Sequence, residues 1–575
     1  MSYRSWFCGI AILGLTLTML AGASVSAAAA PIPLADAEAI WLDVGTLAWH
    51  GTFASSYKLL YDPDGGLETA AADTACTFPA PAIPCFVALT AEGGIPEGAY
   101  PKNPNADGLL RLTADLTPEN AKDLLKGQTA VASYRNDGRL AEASRTQIQS
   151  VLDALYAAAA RTQTLGVTYA GTTPSVSLWA PTARSVTLRR YADATTLSFT
   201  PHPLAFAPTS GVWSVTGEAS WDRQFYLFDV EVYVPSAGWV VHNIVSDPYA
   251  VSLSADGPAR DDVRSQFVNL DDADFKPAGW DTLVKPPLAA FEDISIYEMH
   301  IRDFSINDAT VAEADRGTYL AFTYDGDGPD PNTARSDGMN HLLALADAGL
   351  THVHLLPAFD IASVLENNVP RRVEPEPAGL PRDSEEQQAA VAAARANDGF
   401  NWGYDPYHYG VPEGSYSTDP NGPARILEFR RMVAALNGNG LRVVMDVVYN
   451  HTAASGQDDH SVLDKVVPGY YYRYTLDGAQ YSDSCCSDTA TEYDMMEKLM
   501  TDTVLRFATA YRVDGFRFDL MNFHTRRNMA NVQAAVRALT SAADGVDGST
   551  IYLYGEGWDF GSAQHKGFTD CTGGW

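Results

Sequence analysis

The strongest constraint on the fold of this chain is a series of apolar strands that alternate with helices after Ile294. Each strand is nearly continuous in aliphatic and aromatic residues, which is typical of parallel strands covered by helices on both faces. The predicted strands are 294–300, 351–356, 441–448, 513–520 and 550–554, and the predicted helices are 340–348, 425–435, 494–510 and 529–543. This rhythm favours a (β/α)8 TIM barrel. An open doubly wound sheet is the alternative, although no glycine-rich nucleotide fingerprint follows the first strand.

The 575 residues predict a multidomain protein, because a single domain rarely reaches this length. Residues 28–165 mix short β-like segments with turns and end in a predicted helix over 146–161. Residues 166–285 read as an all-β sandwich, with strands at 175–179, 185–188 and 225–233. The strand–helix region then occupies 286–575. It is interrupted at 369–398 by a Pro- and charge-rich insertion for which we predict a loop and a short Ala-rich helix.

The charge balance narrows the classes of partner. There are 39 basic and 71 acidic residues, which gives a formal net charge of −32. Phosphate-rich surfaces would be repelled, so we expect neither nucleic acid nor an anionic membrane as a partner. A neutral ligand such as a sugar carries no such penalty.

The N-terminus predicts an export signal at residues 1–27. Arg4 supplies a positive charge, 6–20 form the apolar stretch, and Val25-Ser-Ala27 offers a cleavage point. A membrane anchor is the alternative, but the apolar stretch is short. Ala23 stands where a lipidated cysteine would be needed, so we expect a secreted protein, extracellular or periplasmic, without a membrane anchor after cleavage.

Export permits disulfides. Cys76 and Cys85 bracket a Pro-rich loop that they are able to close. Cys485 and Cys486 are adjacent, which leaves open a strained vicinal bridge or bonds elsewhere. No cysteine spacing predicts a zinc site.

Two carboxylates occupy matching places in the fourth and fifth predicted strands. Asp519 and Glu556 both lie near the C-terminal ends, which form the catalytic face of such a barrel. Neighbouring strands are about 4.8 Å apart, and retaining glycosidases hold their carboxylates roughly 5–5.5 Å apart. Arg517 shares a strand face with Asp519 and is suited to keep it ionised. The non-catalytic alternatives are a structural ion pair for Arg517 and a helix cap for Glu556.

Four motifs resemble one known family. Asp446-Val-Val-Tyr-Asn-His451, Gly515-Phe-Arg-Phe-Asp519 and Gly555-Glu-Gly-Trp558 are similar to signature regions of the α-amylase superfamily, glycoside hydrolase family 13. Phe400-Asn-Trp-Gly-Tyr-Asp-Pro406 resembles the signature of its pullulanase and limit-dextrinase branch, with Phe400 in place of tyrosine. The resemblance implies that Asp519 is the nucleophile, Glu556 the general acid/base, and Arg517 the residue that orients Asp519.

The same resemblance implies a set of substrate-binding residues. His451 would hydrogen-bond the sugar at the reacting subsite, Tyr404 would stack on that sugar, and Trp558 would contact the chain beyond the scissile bond. The full set is Tyr404, Asp405, Asp446, Asn450, His451 and Trp558. Ordinary packing is the alternative for the two aromatic residues and for the histidine.

The implied activity is hydrolysis of α-1,6 branch links in pullulan, starch or limit dextrins, with an α-glucan as partner. Trp179-Ala-Pro181 and Asp247-Pro-Tyr249 resemble the family 48 carbohydrate-binding module. The region 28–165 resembles the extra N-terminal β-domain of these enzymes. The alternatives are a non-catalytic α-glucan-binding protein or another activity of the superfamily, such as isoamylase or branching enzyme.

The family's third acidic residue lies in a later His-Asp motif, after a seventh strand. Only five strands are predicted here, so we expect a truncated barrel without hydrolytic activity of its own. No cofactor is required by this chemistry, and no metal ligand is assigned. Calcium is common among relatives, but the acidic stretch 324–328 is too short for a defined calcium loop.

Overall fold

The computed structural model describes residues 32, 34, 36–52, 54–255, 263–326, 334–364, 366, 378–395 and 398–571. The predicted export signal and part of the acidic stretch 324–328 lie outside these residues. In the described ranges no helix is both long and apolar enough to cross a membrane.

The N-terminal region is a small closed β-barrel. Its core contains Trp41, Trp49 and Leu59, which are at most 1% exposed, and the barrel closes where β1 pairs in parallel with β7. The strand order is β1-β2-β5-β4-β3-β6-β7. The strands are β1 Ala39–Asp43, β2 Thr46–Trp49, β3 Ser56–Asp62, β4 Cys85–Gly94, β5 Leu110–Thr113, β6 Gln128–Tyr134 and β7 Leu140–Gln147.

Helix α1 (Pro118–Leu124) of this region is capped by Thr117, whose side chain accepts a hydrogen bond from the Asn120 N–H.

The predicted disulfide between Cys76 and Cys85 is confirmed.

The helix predicted at 146–161 begins three residues later than expected. Strand β7 runs through Gln147, which pairs with Ile40 of β1, so the sheet ladder claims the residues that were predicted to start the helix. The helical segment consists of α2 Gln149–Leu152, a π-helical turn Asp153–Ala157 and α3 Ala158–Ala160.

The second region is the predicted β-sandwich. One sheet has the order β11-β10-β14-β15 with β16 beside β14, and the other has the order β12-β13-β9-β8. The strands are β8 Gly166–Ala170, β9 Thr173–Trp179, β10 Ser185–Tyr191, β11 Phe199–Pro203, β12 Ala205–Ala207, β13 Val212–Thr216, β14 Phe225–Val234, β15 Trp239–Val245 and β16 Ser265–Gln266. Trp179 is buried, donates its indole N–H to the Ser210 carbonyl at 3.0 Å, and stacks edge-on against Tyr470 of the third region.

The third region is built on a parallel sheet of five strands. They are β17 Ile296–Met299, β18 His352–Leu355, β21 Arg442–Val447, β24 Gly515–Phe518 and β25 Tyr552–Gly555, between which lie β19 Phe359–Ile361, β20 Pro406–Pro412, β22 His451–Thr452 and β23 Ser487–Asp488. The sheet order is β17-β18-β21-β24-β25 and every pairing is parallel. All five predicted strands are therefore confirmed. The order follows the chain from edge to edge, whereas a doubly wound sheet reverses at a switch point.

Helices cover this sheet much as predicted. They are α4 Ile301–Ser305, α5 Asp337–Asp347, α6 Glu386–Arg395, α7 Ala424–Gly438, α8 Leu463–Val466, α9 Asp494–Thr509, α10 Arg526–Arg537, α11 Ser541–Asp544 and α12 Ser562–His565. The single helix predicted at 529–543 is wrong. Two helices occupy this span, because Thr540 leaves the helical conformation and caps α11 by accepting the Ala543 N–H.

The core between sheet and helices explains why the strands could be predicted from their apolar sequence. Val443, Met445, Phe516 and Phe518 are completely buried. Full burial of a side chain of this size contributes roughly 1.5–3 kcal/mol. Since the strand interiors are apolar, polar side chains concentrate where the strands end, and that edge carries the candidate site.

Candidate active site

The strand register places the two predicted catalytic carboxylates side by side. Phe518 of β24 pairs with Gly555 of β25, and Asp519 and Glu556 are the residues that follow. The ladder continues one step further, because the Glu556 N–H donates to the Phe518 carbonyl at 2.9 Å. Both carboxylates therefore leave the same edge of the sheet at the same height.

One guanidinium joins three carboxylates at this edge. Arg517 Nη1 donates to Asp519 Oδ1 at 2.9 Å and to the two oxygens of Asp446 at 3.1 and 3.0 Å. Its Nη2 lies 3.1 Å from Glu556 Oε2. Burial alone would lower the pKa of Arg517, but the Asp446 carboxylate outweighs it and the pKa is raised. The guanidinium is therefore a permanent cation between Asp519 and Glu556.

Asp519 is the more enclosed member of the pair, with 11% of its side chain exposed against 28% for Glu556. Burial raises the pKa of Asp519 above its ordinary value. The Asn450 hydrogen bond and the Arg517 charge act in the opposite direction, whereas Asp446 and Glu556 add to the rise. Asn450 Nδ2 donates both to Asp519 Oδ2, at 2.8 Å, and to the Asp519 carbonyl, at 2.9 Å.

Glu556 is held from its own loop and from the neighbouring one. Oε1 accepts the Trp558 indole N–H at 2.6 Å, and Oε2 accepts the Leu520 N–H at 3.2 Å. Leu520 has φ 41°, in the left-handed region that a leucine rarely adopts. This conformation turns the chain directly after Asp519 and brings the Leu520 amide to Glu556.

His451 is surrounded by acceptors on both ring nitrogens. Nε2 lies 2.9 Å from the Tyr404 carbonyl, and Nδ1 contacts Asn450 Oδ1. The Asn450 amide nitrogen is already used by Asp519, so its oxygen must face the histidine. Burial would lower the pKa of His451, but contacts led by the Cys485 sulfur outweigh burial and raise it. Two acceptors and a raised pKa favour the doubly protonated ring.

Tyr404 and Asp405 lie on different sides of the site. The Tyr404 hydroxyl donates to Asp446 Oδ2 at 2.8 Å, which ties the phenol to the same buried carboxylate as Arg517. Asp405 accepts from Ser363 Oγ and from Asn401 Nδ2 in a separate polar cluster. The structure thus brings Asp446, Asn450, His451 and Tyr404 around the two carboxylates, while Asp405 is further out.

Two exposed tryptophans flank this edge. Trp558 is 59% exposed despite its bond to Glu556, and Trp402 is 63% exposed. The sequence reasoning assigned a role only to Trp558. Trp402 belongs to the motif 400–406, and its high exposure is a signal that the sequence does not carry.

Sequence reasoning also missed His354. Its Nε2 lies 3.4 Å from Asp446 Oδ2, its Nδ1 lies 3.3 Å from Glu298 Oε2, and the Tyr554 hydroxyl is 3.2 Å away. A second histidine within the otherwise apolar strand 351–356 was the available signal. Its alternating position places it on the face where Asp446 projects.

Cys485 is a further neighbour that was not predicted for the site. Its Sγ lies 3.4 Å from His451 Nε2, and Cys485, Cys486 and Cys571 are free thiols, so neither of the alternatives left open for the adjacent cysteines, a vicinal bridge or a bond elsewhere, is formed.

Two groups of potential metal ligands occur among the described residues. His451, Cys485 and Cys486 form one, and Asp360, Glu366 and Glu413 form the other. In the second group, Arg425 contacts both Asp360 and Glu366, and Glu413 accepts two backbone N–H groups. One guanidinium therefore already offsets part of the negative charge of that group.

Comparison with known proteins agrees with this architecture. Residues 36–154 match the Pullulanase N2 domain, and residues 164–250 match carbohydrate-binding module 48, the isoamylase N-terminal domain. Pullulanase 1, chloroplastic, of Arabidopsis thaliana is 41% identical over 545 residues, which cover 92% of this chain and 53% of that protein.

Solved structures give the same result. A ligand-free PulA mutant from Klebsiella pneumoniae has a TM-score of 0.83 at 34% identity, covering 94% of this chain and 52% of that one. Klebsiella pneumoniae pullulanase complexed with maltotriose has a TM-score of 0.81 at 34% identity, covering 93% and 51%. The chain thus spans about half the length of these relatives.

The two β modules and the paired carboxylates at the edge of a parallel sheet define a modular carbohydrate-active protein. The sequence identity and the fold match together show more. The chain is homologous to pullulanases over about half of their length.

Proposed function

We propose that this chain carries the catalytic centre of a hydrolase for α-1,6-glucosidic links in pullulan, starch or limit dextrins. The observation that supports it most is the single guanidinium of Arg517, which contacts Asp519 and Glu556 at once. Two carboxylates held by one guanidinium support a retaining double displacement, which uses a closely spaced carboxylate pair.

In this mechanism Asp519 attacks the anomeric carbon and forms a covalent glycosyl-enzyme, while Glu556 protonates the leaving oxygen. Glu556 then removes a proton from the incoming water. Arg517 and Asn450 keep the Asp519 oxygens aligned and stabilise the anion, which offsets part of the cost of its burial. Both ring nitrogens of His451 are already bonded to Asn450 and to the Tyr404 carbonyl, so a sugar hydroxyl would bind His451 by displacing one of these contacts.

The sugar chain would lie across the edge of the sheet, between exposed aromatic faces. Trp558 and Trp402 are large and exposed, and aromatic rings at a polar site are suited to pack against the C–H faces of sugars. Tyr404 would contribute its ring to the reacting sugar while its hydroxyl stays on Asp446.

Further parts of the proposal concern the fold and its setting. The succession of closed barrel, sandwich and parallel sheet supports modules at 28–165, 166–285 and 286–575. Five parallel strands in chain order are the arrangement that a (β/α)8 barrel would need. We propose no cofactor. The disulfide between Cys76 and Cys85 supports an oxidising location, and hence secretion.

The test uses the purified chain with pullulan. Reducing ends and product size are measured for the wild type, Asp519→Asn and Glu556→Gln, alongside binding of each to immobilised pullulan. Release of trisaccharide by the wild type and its loss in both variants, with binding retained, supports the hydrolase. Binding by all three without turnover shows no activity of this chain on its own, as expected for a truncated barrel, and supports the glucan-binding alternative.

Two finer outcomes separate mechanism and bond type. A fluorinated glycosyl fluoride that stabilises the glycosyl-enzyme should add its mass to the peptide containing Asp519, and labelling of another peptide would refute the assignment. Maltotriose from pullulan indicates cleavage of the α-1,6 link, whereas panose-type trisaccharides indicate another activity of the superfamily.

A further inference from the structure

A cavity of about 280 Å³ lies where the three regions of the chain meet. We call it the junction cavity. Its polar lining includes Arg145 and Gln147 from the N-terminal barrel, Thr182 and Tyr233 from the sandwich, and Asp464 and Tyr474 from the third region. None of these residues belongs to the edge that carries Asp519 and Glu556.

The walls are already joined by hydrogen bonds between regions. Gln147 Nε2 donates to the Thr475 carbonyl at 2.8 Å, and Arg145 Nη1 donates to the Pro235 carbonyl at 3.2 Å. The junction cavity is therefore part of the contact between modules. A ligand that filled it would touch all three.

Two hydroxyl groups in the lining lack a protein partner. Thr182 Oγ1 and Tyr233 OH are buried and make no hydrogen bond within the described part of the chain. Thr182 as a whole is only 4% exposed. Buried polar atoms are nearly always paired, and these two hydroxyls belong to residues that line one cavity, so a ligand there is a candidate partner for them. Each hydroxyl both donates and accepts, as sugar hydroxyls do.

The charge of the lining also points to a neutral ligand. Among the lining residues only Arg145 and Asp464 are charged, and they have opposite signs. Asp464 is engaged by the Gly456 and Gly469 N–H groups at 2.9 and 3.1 Å. An anion or a cation would meet one partner and one repelling group, whereas an uncharged ligand meets no penalty.

The wall also has an apolar part, with Leu125, Ile148, Val234 and Pro468 beside the rings of Tyr233 and Tyr474. A ligand with C–H faces and hydroxyl edges matches apolar walls that carry isolated hydroxyls. Ligand pockets usually measure about 300–1,000 Å³, so a cavity of about 280 Å³ is suited to one or two sugar rings.

We propose that the junction cavity is a second carbohydrate site, which binds a mono- or disaccharide independently of the catalytic edge. This goes beyond the proposed function, because the site needs neither Asp519 nor Glu556. Its occupation favours the docked arrangement of the three modules, and a ligand that binds only the folded state raises its stability.

The experiment measures maltose and glucose binding to the full chain by calorimetry and by thermal unfolding. The double variant Thr182→Val, Tyr233→Phe removes both hydroxyls with little change of shape. We expect it to weaken sugar binding by roughly tenfold or more, since two hydrogen bonds are lost. The unfolding temperature without sugar should stay unchanged or rise, because no protein bond is lost.

A blocked cavity gives a second, independent readout. Ser236 is exposed at the rim, so Ser236→Trp should abolish the component of maltose binding that persists in Trp558→Ala, while Ser236→Ala should bind as the wild type does. Trp558→Ala, which alters only the catalytic edge, should leave the binding to the junction cavity unchanged.

Several results would overturn the proposal. Unaltered maltose affinity in both the double variant and Ser236→Trp would refute it, as would loss of that affinity in Trp558→Ala. A marked fall in the unfolding temperature of the sugar-free double variant would show that the hydroxyls are structural. Failure of pullulan hydrolysis would not bear on it, because sugar binding is measured directly.

Discussion

Replacement of Arg517 by methionine is the sharpest perturbation that the site offers. The side chain of Arg517 is only 15% exposed and makes its contacts to Asp446, Asp519 and Glu556 with one guanidinium. Methionine has a similar length and no charge, so Arg517→Met removes these contacts with little loss of volume. Asp446 is affected most, because its side chain is fully buried.

The size of the effect follows from the contacts that Asp446 would keep without Arg517. Among the described residues these are the Tyr404 hydroxyl at 2.8 Å and the His354 Nε2 at 3.4 Å. Removing one partner of a buried ion pair typically costs about 3–5 kcal/mol, because an uncompensated charge is left behind. We therefore expect Arg517→Met to lower the free energy of unfolding at pH 7 by about that amount. Adding Asp446→Asn should restore most of the loss.

The assay is urea unfolding at pH 7, followed by tryptophan fluorescence, for the wild type, both single variants and the double variant. Arg184→Met is the matched control, because Arg184 pairs with Asp64, whose side chain is 81% exposed. An exposed pair of this kind should contribute less than about 1 kcal/mol. The reasoning is refuted if Arg517→Met costs no more than Arg184→Met, or if Asp446→Asn fails to restore stability.

Two further predictions concern groups outside this cluster. Burial alone would raise the pKa of Glu492, but Arg473 and Lys566 outweigh it and hold the pKa at about 2, below its ordinary value of 4.5. Glu492 therefore stabilises the fold above about pH 4.5 and loses this effect as the pH falls towards 2. In urea unfolding between pH 6 and pH 2, the free energy of unfolding should depend less on pH in Glu492→Gln than in the wild type. The same dependence on pH in both proteins would contradict this. The second prediction concerns the adjacent thiols. A hydrogen bond from Cys485 lowers the pKa of Cys486, whereas the same bond and burial raise the pKa of Cys485. Iodoacetamide should therefore modify Cys486 first, and peptide mass spectrometry showing the reverse order would refute this.

The parallel sheet could be predicted from sequence because its strands are apolar without interruption. A run such as 441–448 has few alternatives once helices flank it. The N-terminal barrel was harder, because its closure depends on pairing between β1 and β7, which are a hundred residues apart in the chain. No local pattern encodes that pairing, and for the same reason the start of the helix after Gln147 was placed too early.

The candidate site shows the same division. Asp519, Glu556, Arg517 and Asp446 were predictable because polar residues at the ends of apolar strands stand out. The contact of Cys485 with His451 was not, because Cys485 reaches the site from a loop far along the chain. Sequence spacing predicts which residues leave one sheet edge, but not which loops fold back over it.

The shared guanidinium also bears on how two similar carboxylates take different roles in the proposed mechanism. Asp519 faces Arg517 and the Asn450 amide, and these two donors favour the anion that must attack. Glu556 is more exposed, and one of its oxygens accepts the indole N–H of Trp558, whose side chain is itself exposed to solvent. A sugar that packs on Trp558 would therefore reach Glu556 directly, whereas Asp519 stays fixed by groups that no substrate displaces. The proposed roles thus depend on which hydrogen bonds a bound sugar disturbs. A bond to Glu556 comes from the exposed Trp558, whereas the donors to Asp519 are the buried Asn450 and the largely buried Arg517.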